Sequence, residues 1–306
     1  MKKILLLTDT CSSLSKEVAK ELDVCILPLS IYDQDGKQYA NKDSDFSHEH
    51  ILKLQESGTI FSTGCTSQLL LEETIKSNLD NYDYILALPI SSKWSSQYSH
   101  IKALSNQPGF KEKLYVADVL DFGFNIEILC KELREKINSG IDDINELIKY
   151  AEDFHNFTLS FFVCKQLKGL VDSGRVPNVV AKLFKLTKIY PIIKVDQENH
   201  FGGIVKKWDE AIPECIKQLI KNFDGNLTKN DIRDISIISL DCSEEYINQV
   251  KKLIVDALEI DESIIQIRNA PDIFVHIVSR GAIGLQVVSN KRKHKTNLSE
   301  KIKKIF

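Results

Sequence analysis

Short apolar runs alternate along this chain with longer stretches of mixed apolar and polar residues. The runs at 3–7, 24–30, 84–90 and 114–117 are rich in Ile, Leu and Val and read as strands. Helix-like segments lie between and after them, near 15–22, 48–57, 68–78, 95–104 and 123–138. This alternation is the one expected of a mostly parallel sheet covered by helices. A further helix starts near 143, where Asp143 and Glu146 stand at capping-box spacing, and the first unit closes near residue 152. The second half reads as α/β too, with strands near 158–164, 190–195, 235–240, 264–268 and 283–288. Helices are expected at 178–187, 207–222 and 244–258, and turns at Asp224-Gly225-Asn226 and His200-Phe201-Gly202-Gly203. A chain of 306 residues outgrows a single core, so two α/β domains are expected, 1–152 and 153–306.

The apolar runs end in small hydroxyl residues. Leu5-Leu6-Leu7 leads into Thr8-Asp9-Thr10, Ile85 to Leu88 leads into Ser91-Ser92, and Thr66-Ser67-Gln68 opens the helix between them. In an open α/β sheet the carboxyl ends of strands and the helix starts that follow them form the ligand crevice. Hydroxyls backed by helix N–H groups can hold an anionic headgroup such as a carboxylate, but they supply neither a general base nor metal ligands. The pattern points to binding rather than chemistry.

Composition narrows the choice of partner. With 40 Lys and Arg against 43 Asp and Glu the net charge is −3, so no global field recruits nucleic acid or an anionic membrane. No apolar run reaches the roughly 18 residues a membrane helix needs, and the apolar stretch after Lys3 is too short for a signal peptide, so a cytoplasmic protein is expected. The seven cysteines, at 11, 25, 65, 130, 164, 215 and 242, contain no C-x-x-C pair and read as reduced thiols. His48 and His50 stand two apart and point to different sides of a helix, so neither metal nor other cofactor is expected. The end of the chain, 291–306, is basic and reads as a short solvated helix, with transient membrane contact left open.

Seven stations in this order resemble the DegV family of bacterial fatty-acid-binding proteins. They are Thr8-Asp9-Thr10-Cys11-Ser12-Ser13-Leu14, Leu27-Pro28-Leu29, Asp35-Gly36-Lys37-Gln38-Tyr39, Thr66-Ser67-Gln68, Ile90 to Tyr98, Leu170 to Val176, and Ile189-Tyr190-Pro191-Ile192-Ile193. The C-terminal station departs from the pattern. Pro271 and His276 keep the family's spacing, but Ile277-Val278-Ser279-Arg280-Gly281 replaces its glycine-rich turn with one extra residue and leaves Arg280 as a new cation nearby.

The resemblance implies two α/β domains of the DegV type with the ligand between them, and a carrier rather than an enzyme. One long-chain fatty acid would be bound, its carboxylate on Thr66, Ser67, Ser91 or Ser92 and His276, and offered to a fatty acid kinase. Arg175 would contact the phosphate end of the ligand or the kinase. Each residue has a plainer role to set against this: Thr66 and Ser67 as helix caps, Ser91 and Ser92 as turn formers, His276 as a core histidine, Arg175 as a surface arginine. Two rival functions remain, a hydrolase or phosphotransferase using Ser91 or Asp9, and a regulatory protein that keeps the fold without the ligand. No G-x-S-x-G elbow, P-loop or kinase signature supports the enzyme.

Overall fold

The computed structural model describes residues 1–40, 47–166, 169–170, 173 and 189–294. Its first sheet is wholly parallel, in the order β2-β1-β6-β7, formed by β1 (Ile4–Asp9), β2 (Val24–Leu27), β6 (Tyr84–Ala87) and β7 (Leu114–Val116). Side chains of a strand alternate between faces, and β1 is apolar on both. Leu6 packs with Leu86 against Leu129 and Leu133 of α5 (Phe124–Asn138) and Leu147 of α6 (Ile144–Asp153). Leu5 and Leu7 face the other way, onto Leu71 and Ile75 of α3 (Gln68–Leu79) and Leu104 of α4 (Gln97–Ser105). A strand covered on both sides needs an unbroken apolar run, which is why 3–7 reads as it does.

The apolar run 24–30 is not one strand. Pro28 has no N–H to give a ladder, so β2 ends at Leu27 and the chain restarts as β3 (Ser30–Asp33) in a small antiparallel sheet. That sheet has the order β4-β3-β5, with β4 (Gln38–Ala40) joined to β3 by the Asp35-Gly36 hairpin and β5 (Phe61–Gly64) on the other side. Four residues were too few for β5 to stand out in the sequence. The remaining α-helices of this half among the described residues are α1 (Lys16–Glu21) and α2 (His48–Glu56).

The second sheet has six strands in the order β10-β9-β8-β13-β11-β12. They are β8 (Thr158–Val163), β9 (Tyr190–Asp196), β10 (Glu198–Val205), β11 (Ile232–Leu240), β12 (Ile265–Asn269) and β13 (Ala282–Ser289). Only the β11–β12 pair is parallel; the other ladders are antiparallel, so the α/β alternation of the second half does not imply a parallel sheet there. One face is covered by α7 (Ala211–Lys221) and α8 (Glu244–Leu258). The opposite face turns Ile193, Val195, Ile238 and Leu240 toward a separate apolar cluster shared with Leu29, Ile90 and Phe122 of the first half.

The turn expected at His200–Gly203 is instead part of β10. Gly202 lies so close to β9 that a Cβ would stand 2.9 Å from Ile192 Cγ2, and the register shifts between Phe201 and Gly203. The glycines serve a bulge, not a chain reversal. Asp224-Gly225-Asn226 is a turn, with Gly225 and Asn226 both at positive φ. The helix expected at 178–187, Arg175, and the tail from 295 onward lie outside the described residues. The last helix among the described residues, α9 (Val275–Val278), is a single turn after β12. No helix among the described residues is long and apolar enough to cross a membrane.

Candidate functional site

A cavity of about 420 Å³ opens where β5 runs into α3, with the turn before α4 on one side and α9 on the other. Cys65, Thr66, Ser67 and Ser96 form its polar wall, and Trp94 and Phe274 its apolar one. No Asp, Glu, Lys or Arg lines it among the described residues. What polarises it is the start of α3, whose first N–H groups have no partner within the helix.

The two hydroxyls at that start do different work. Ser67 is the N-cap, accepting from Leu70 N–H at 3.3 Å, and it is exposed. Thr66 is buried and fully engaged: it donates to the Pro28 carbonyl at 2.8 Å and accepts from Gln97 Nε2 at 3.0 Å, while its N–H donates to Gln97 Oε1 at 3.1 Å. Gln97 thereby clamps the beginnings of α3 and α4 together. Nothing in the sequence pattern singled it out, because a glutamine inside a helix carries no local signature of what it faces.

The serine pair after β6 does not line the cavity. Ser91 is buried, donates to the Gln197 carbonyl at 3.3 Å and accepts from Lys93 N–H at 3.2 Å, so it joins the first half to the β9–β10 turn. Ser92 donates to Asp118 Oδ2 at 2.5 Å. The cavity is reached instead by Ser95 and Ser96, three and four residues further on. Ser96 occupies the N-cap position of α4 without bonding its backbone; its hydroxyl is 3.2 Å from Cys65 Sγ.

His276 is buried on α9, its ring 6.0 Å from that of Phe61, and its carbonyl accepts from Gln55 Nε2 at 2.5 Å. The cavity is lined by its neighbours Ile273, Phe274 and Ile277 and not by His276 itself. The lost glycine turn leaves a trace here: Ser279 takes φ 65 and ψ 166, a conformation natural only to glycine and costing a side-chain-bearing residue about 1–3 kcal/mol. Arg280, the unexpected cation, is committed elsewhere. It pairs with Glu49 at 3.0 Å, Glu56 at 2.8 Å and Asp241, which raises its pKa above the ordinary guanidinium value and ties α2 to the end of β11.

Asp9 is a loop anchor. Its buried carboxylate accepts from Cys11 N–H at 3.0 Å and from Ile90 N–H at 2.8 Å, and burial pushes its pKa up to about 6. Thr8 donates to the Leu88 carbonyl at 2.9 Å. The polar residues after β1 are thus wired into the loops beside them.

The cavity borders the apolar interior. Trp94 stacks on Phe122 with ring centres 4.7 Å apart and meets Phe274 edge-on at 5.7 Å. Trp94, Phe274 and Ile277 also line a recess of about 20 Å³ closed by Phe162, Leu170 and Ile193, so these three form the wall between the polar cavity and that recess. A larger groove, of about 870 Å³, lies between α1 and β2 on one side and β12 on the other. Its walls carry Lys16, Lys20 and Arg268, the last paired with Glu127 at 3.2 Å and lying over the Phe124 ring.

Comparison with known proteins agrees with this geometry. A family model described as "Uncharacterised protein, DegV family" matches residues 3–290. The chain belongs to the DegV family. A DegV domain-containing protein of Ureaplasma parvum is 33% identical over 294 residues, covering 96% of this chain and 98% of that one. Among solved structures, a fatty acid binding DegV family protein of Streptococcus agalactiae superposes with a TM-score of 0.80 at 20% identity, over 97% of this chain and 100% of that one. A stearic-acid-binding protein of Eubacterium ventriosum does so with a TM-score of 0.77 at 17% identity, over 95% and 99%. The two sheets described above are therefore those of a DegV fold.

Proposed function

We propose that this DegV protein binds one long-chain fatty acid, with its carboxylate in the 420 Å³ cavity at the start of α3 and its tail in the apolar cluster behind Trp94, Phe274 and Ile277. The observation that carries the reading is the shared wall between a polar mouth, set at a helix N-terminus and lined by no Asp, Glu, Lys or Arg among the described residues, and an apolar interior. The division into two α/β domains near residue 152 belongs to the same reading, since the cavity takes one wall from residues 29–100 and the other from 273–277. Related proteins of this fold bind fatty acids, stearic acid among them.

Affinity comes from the chain. At about 0.8 kcal/mol per buried CH₂, the tail outweighs the headgroup contacts, which orient it. A recess of 20 Å³ is too small for an alkyl chain, so the side chains that close it, Phe162, Leu170 and Ile193, give way when the tail enters. The protein is a carrier and not a catalyst in this reading: the Ser91 hydroxyl is bonded to a backbone carbonyl rather than to a base, and Asp9 is occupied by two backbone N–H groups. The carboxylate is presented to a separate fatty acid kinase in the cytoplasm, and Arg175 acts in that transfer. Removing its charge is expected to spare palmitate binding and to lower acyl-phosphate formation by the kinase.

Calorimetric titration of lipid-stripped protein with palmitate and oleate tests the binding itself. Saturable one-to-one binding is expected. If neither binds, and an organic extract of the purified protein holds no fatty acid, a ligand-free regulatory role on the same fold takes its place.

A further inference from the structure

We infer that the indole N–H of Trp94 donates a hydrogen bond to the ligand carboxylate, which makes Trp94 a ligand-binding residue at the boundary between headgroup and tail. The inference rests on the fatty-acid reading and adds a donor to it. The hydroxyl protons of Thr66, Ser91 and Ser92 are already given to Pro28, Gln197 and Asp118. Trp94 Nε1, by contrast, is buried and meets no acceptor among the described residues. A buried N–H left in that condition is costly, and such groups are rare unless a partner arrives from outside the chain.

The geometry narrows what that partner is. An indole N–H donates and never accepts, so it takes an oxygen acceptor and gains nothing from a methylene. The ring is held on two sides, by the stack on Phe122 and the edge contact with Phe274, so its N–H direction is set before a ligand binds. Because Trp94 lines both the polar cavity and the apolar recess, the acceptor it selects lies where the two meet, which for a fatty acid is the carboxylate. The start of α3 lines the same cavity, so the carboxylate meets donor groups from both α3 and Trp94.

The chain has only two tryptophans, so the experiment is clean. A spectrum of lipid-stripped, ¹⁵N-labelled protein shows two indole N–H signals, and Trp94→Phe assigns them. Saturating palmitate is expected to move the Trp94 signal downfield while the Trp208 signal stays. Trp94→Phe, which keeps an aromatic ring and loses the donor, should weaken palmitate binding about tenfold. A Trp94 signal that stays in place at calorimetric saturation overturns the inference and leaves the fatty-acid reading standing. Absence of calorimetric binding overturns both. If Trp94→Phe does not fold, assignment by elimination with Trp208→Phe lets the wild-type shift decide.

Discussion

Two hollows of this protein differ in a way that volume does not capture. The groove between α1 and β12 has about 870 Å³ and the cavity at the start of α3 about 420 Å³. The groove runs between two edge strands, β2 and β12, and its charged side chains include Arg268, already neutralised by Glu127. The cavity is lined by no Asp, Glu, Lys or Arg among its described residues and is backed by the aromatic stack of Trp94, Phe122 and Phe274. For a ligand that is mostly hydrocarbon, access to apolar interior outweighs room. On the proposed fatty-acid reading the smaller hollow is the better site, because every methylene that enters leaves water and its mouth needs only enough polarity to stop the headgroup.

Substitutions of similar size in the two places should show this contrast most strongly. Phe122 is 1% exposed and packs against Trp94, Phe162 and Phe274, so Phe122→Ala is expected to lower unfolding free energy by about 3–5 kcal/mol. Ile267, on the groove wall, is 48% exposed, and Ile267→Ala should stay within about 0.5 kcal/mol. Urea denaturation of both variants measures the difference.

Asp9 stands between the two regions, since its loop contributes Thr10 to the groove and its bond holds Ile90, which lines the cavity. Its folded-state pKa of about 6 lies above the ordinary 3.8, so folding is helped while the group is protonated. That contribution is full below about pH 4 and is lost as the pH rises through about 6. The stability of wild type relative to Asp9→Asn should therefore fall across that interval, by no more than ~3 kcal/mol, and be level above pH 7. A flat difference from pH 4 to 7 would show that Asp9 ionises freely.

A smaller effect separates the hollows by ligand rather than by stability. Ser67→Ala, at the exposed N-cap of α3, should weaken palmitate binding about tenfold in a protein that still melts cooperatively, while Lys16→Ala with Lys20→Ala leaves it within about twofold. The reverse ranking would move the carboxylate to the groove.

The parts of this protein visible in its sequence are those whose cause is local. The parallel sheet shows because each of its strands is an apolar run between helix-like segments, and α8 begins at its Ser243 cap and ends at the left-handed Glu259. The glycine pair at 202 and 203 misleads because a bulge and a turn use glycine for the same backbone freedom. At the site, Thr66 and Ser67 are legible as a helix start and do line the cavity. Ser91 and Ser92 sit next to it in sequence, yet Gln197 and Asp118 claim them, and no sequence pattern reveals partners 106 and 26 residues away. Trp94 reads as core from composition, and only its buried N–H, seen in three dimensions, marks it as something else.

The central claim is that the fatty acid occupies the cavity at α3, and Cys65 reports on it directly. Cys65 is half-buried and lines the cavity, whereas Cys25 and Cys242, equally half-buried, do not. Iodoacetamide labelling of lipid-stripped protein, followed residue by residue by mass spectrometry with and without saturating palmitate, compares the three thiols in one sample. The account predicts that palmitate slows labelling of Cys65 at least several-fold and leaves Cys25 and Cys242 unchanged. Palmitate that binds while Cys65 reacts at its original rate would contradict it.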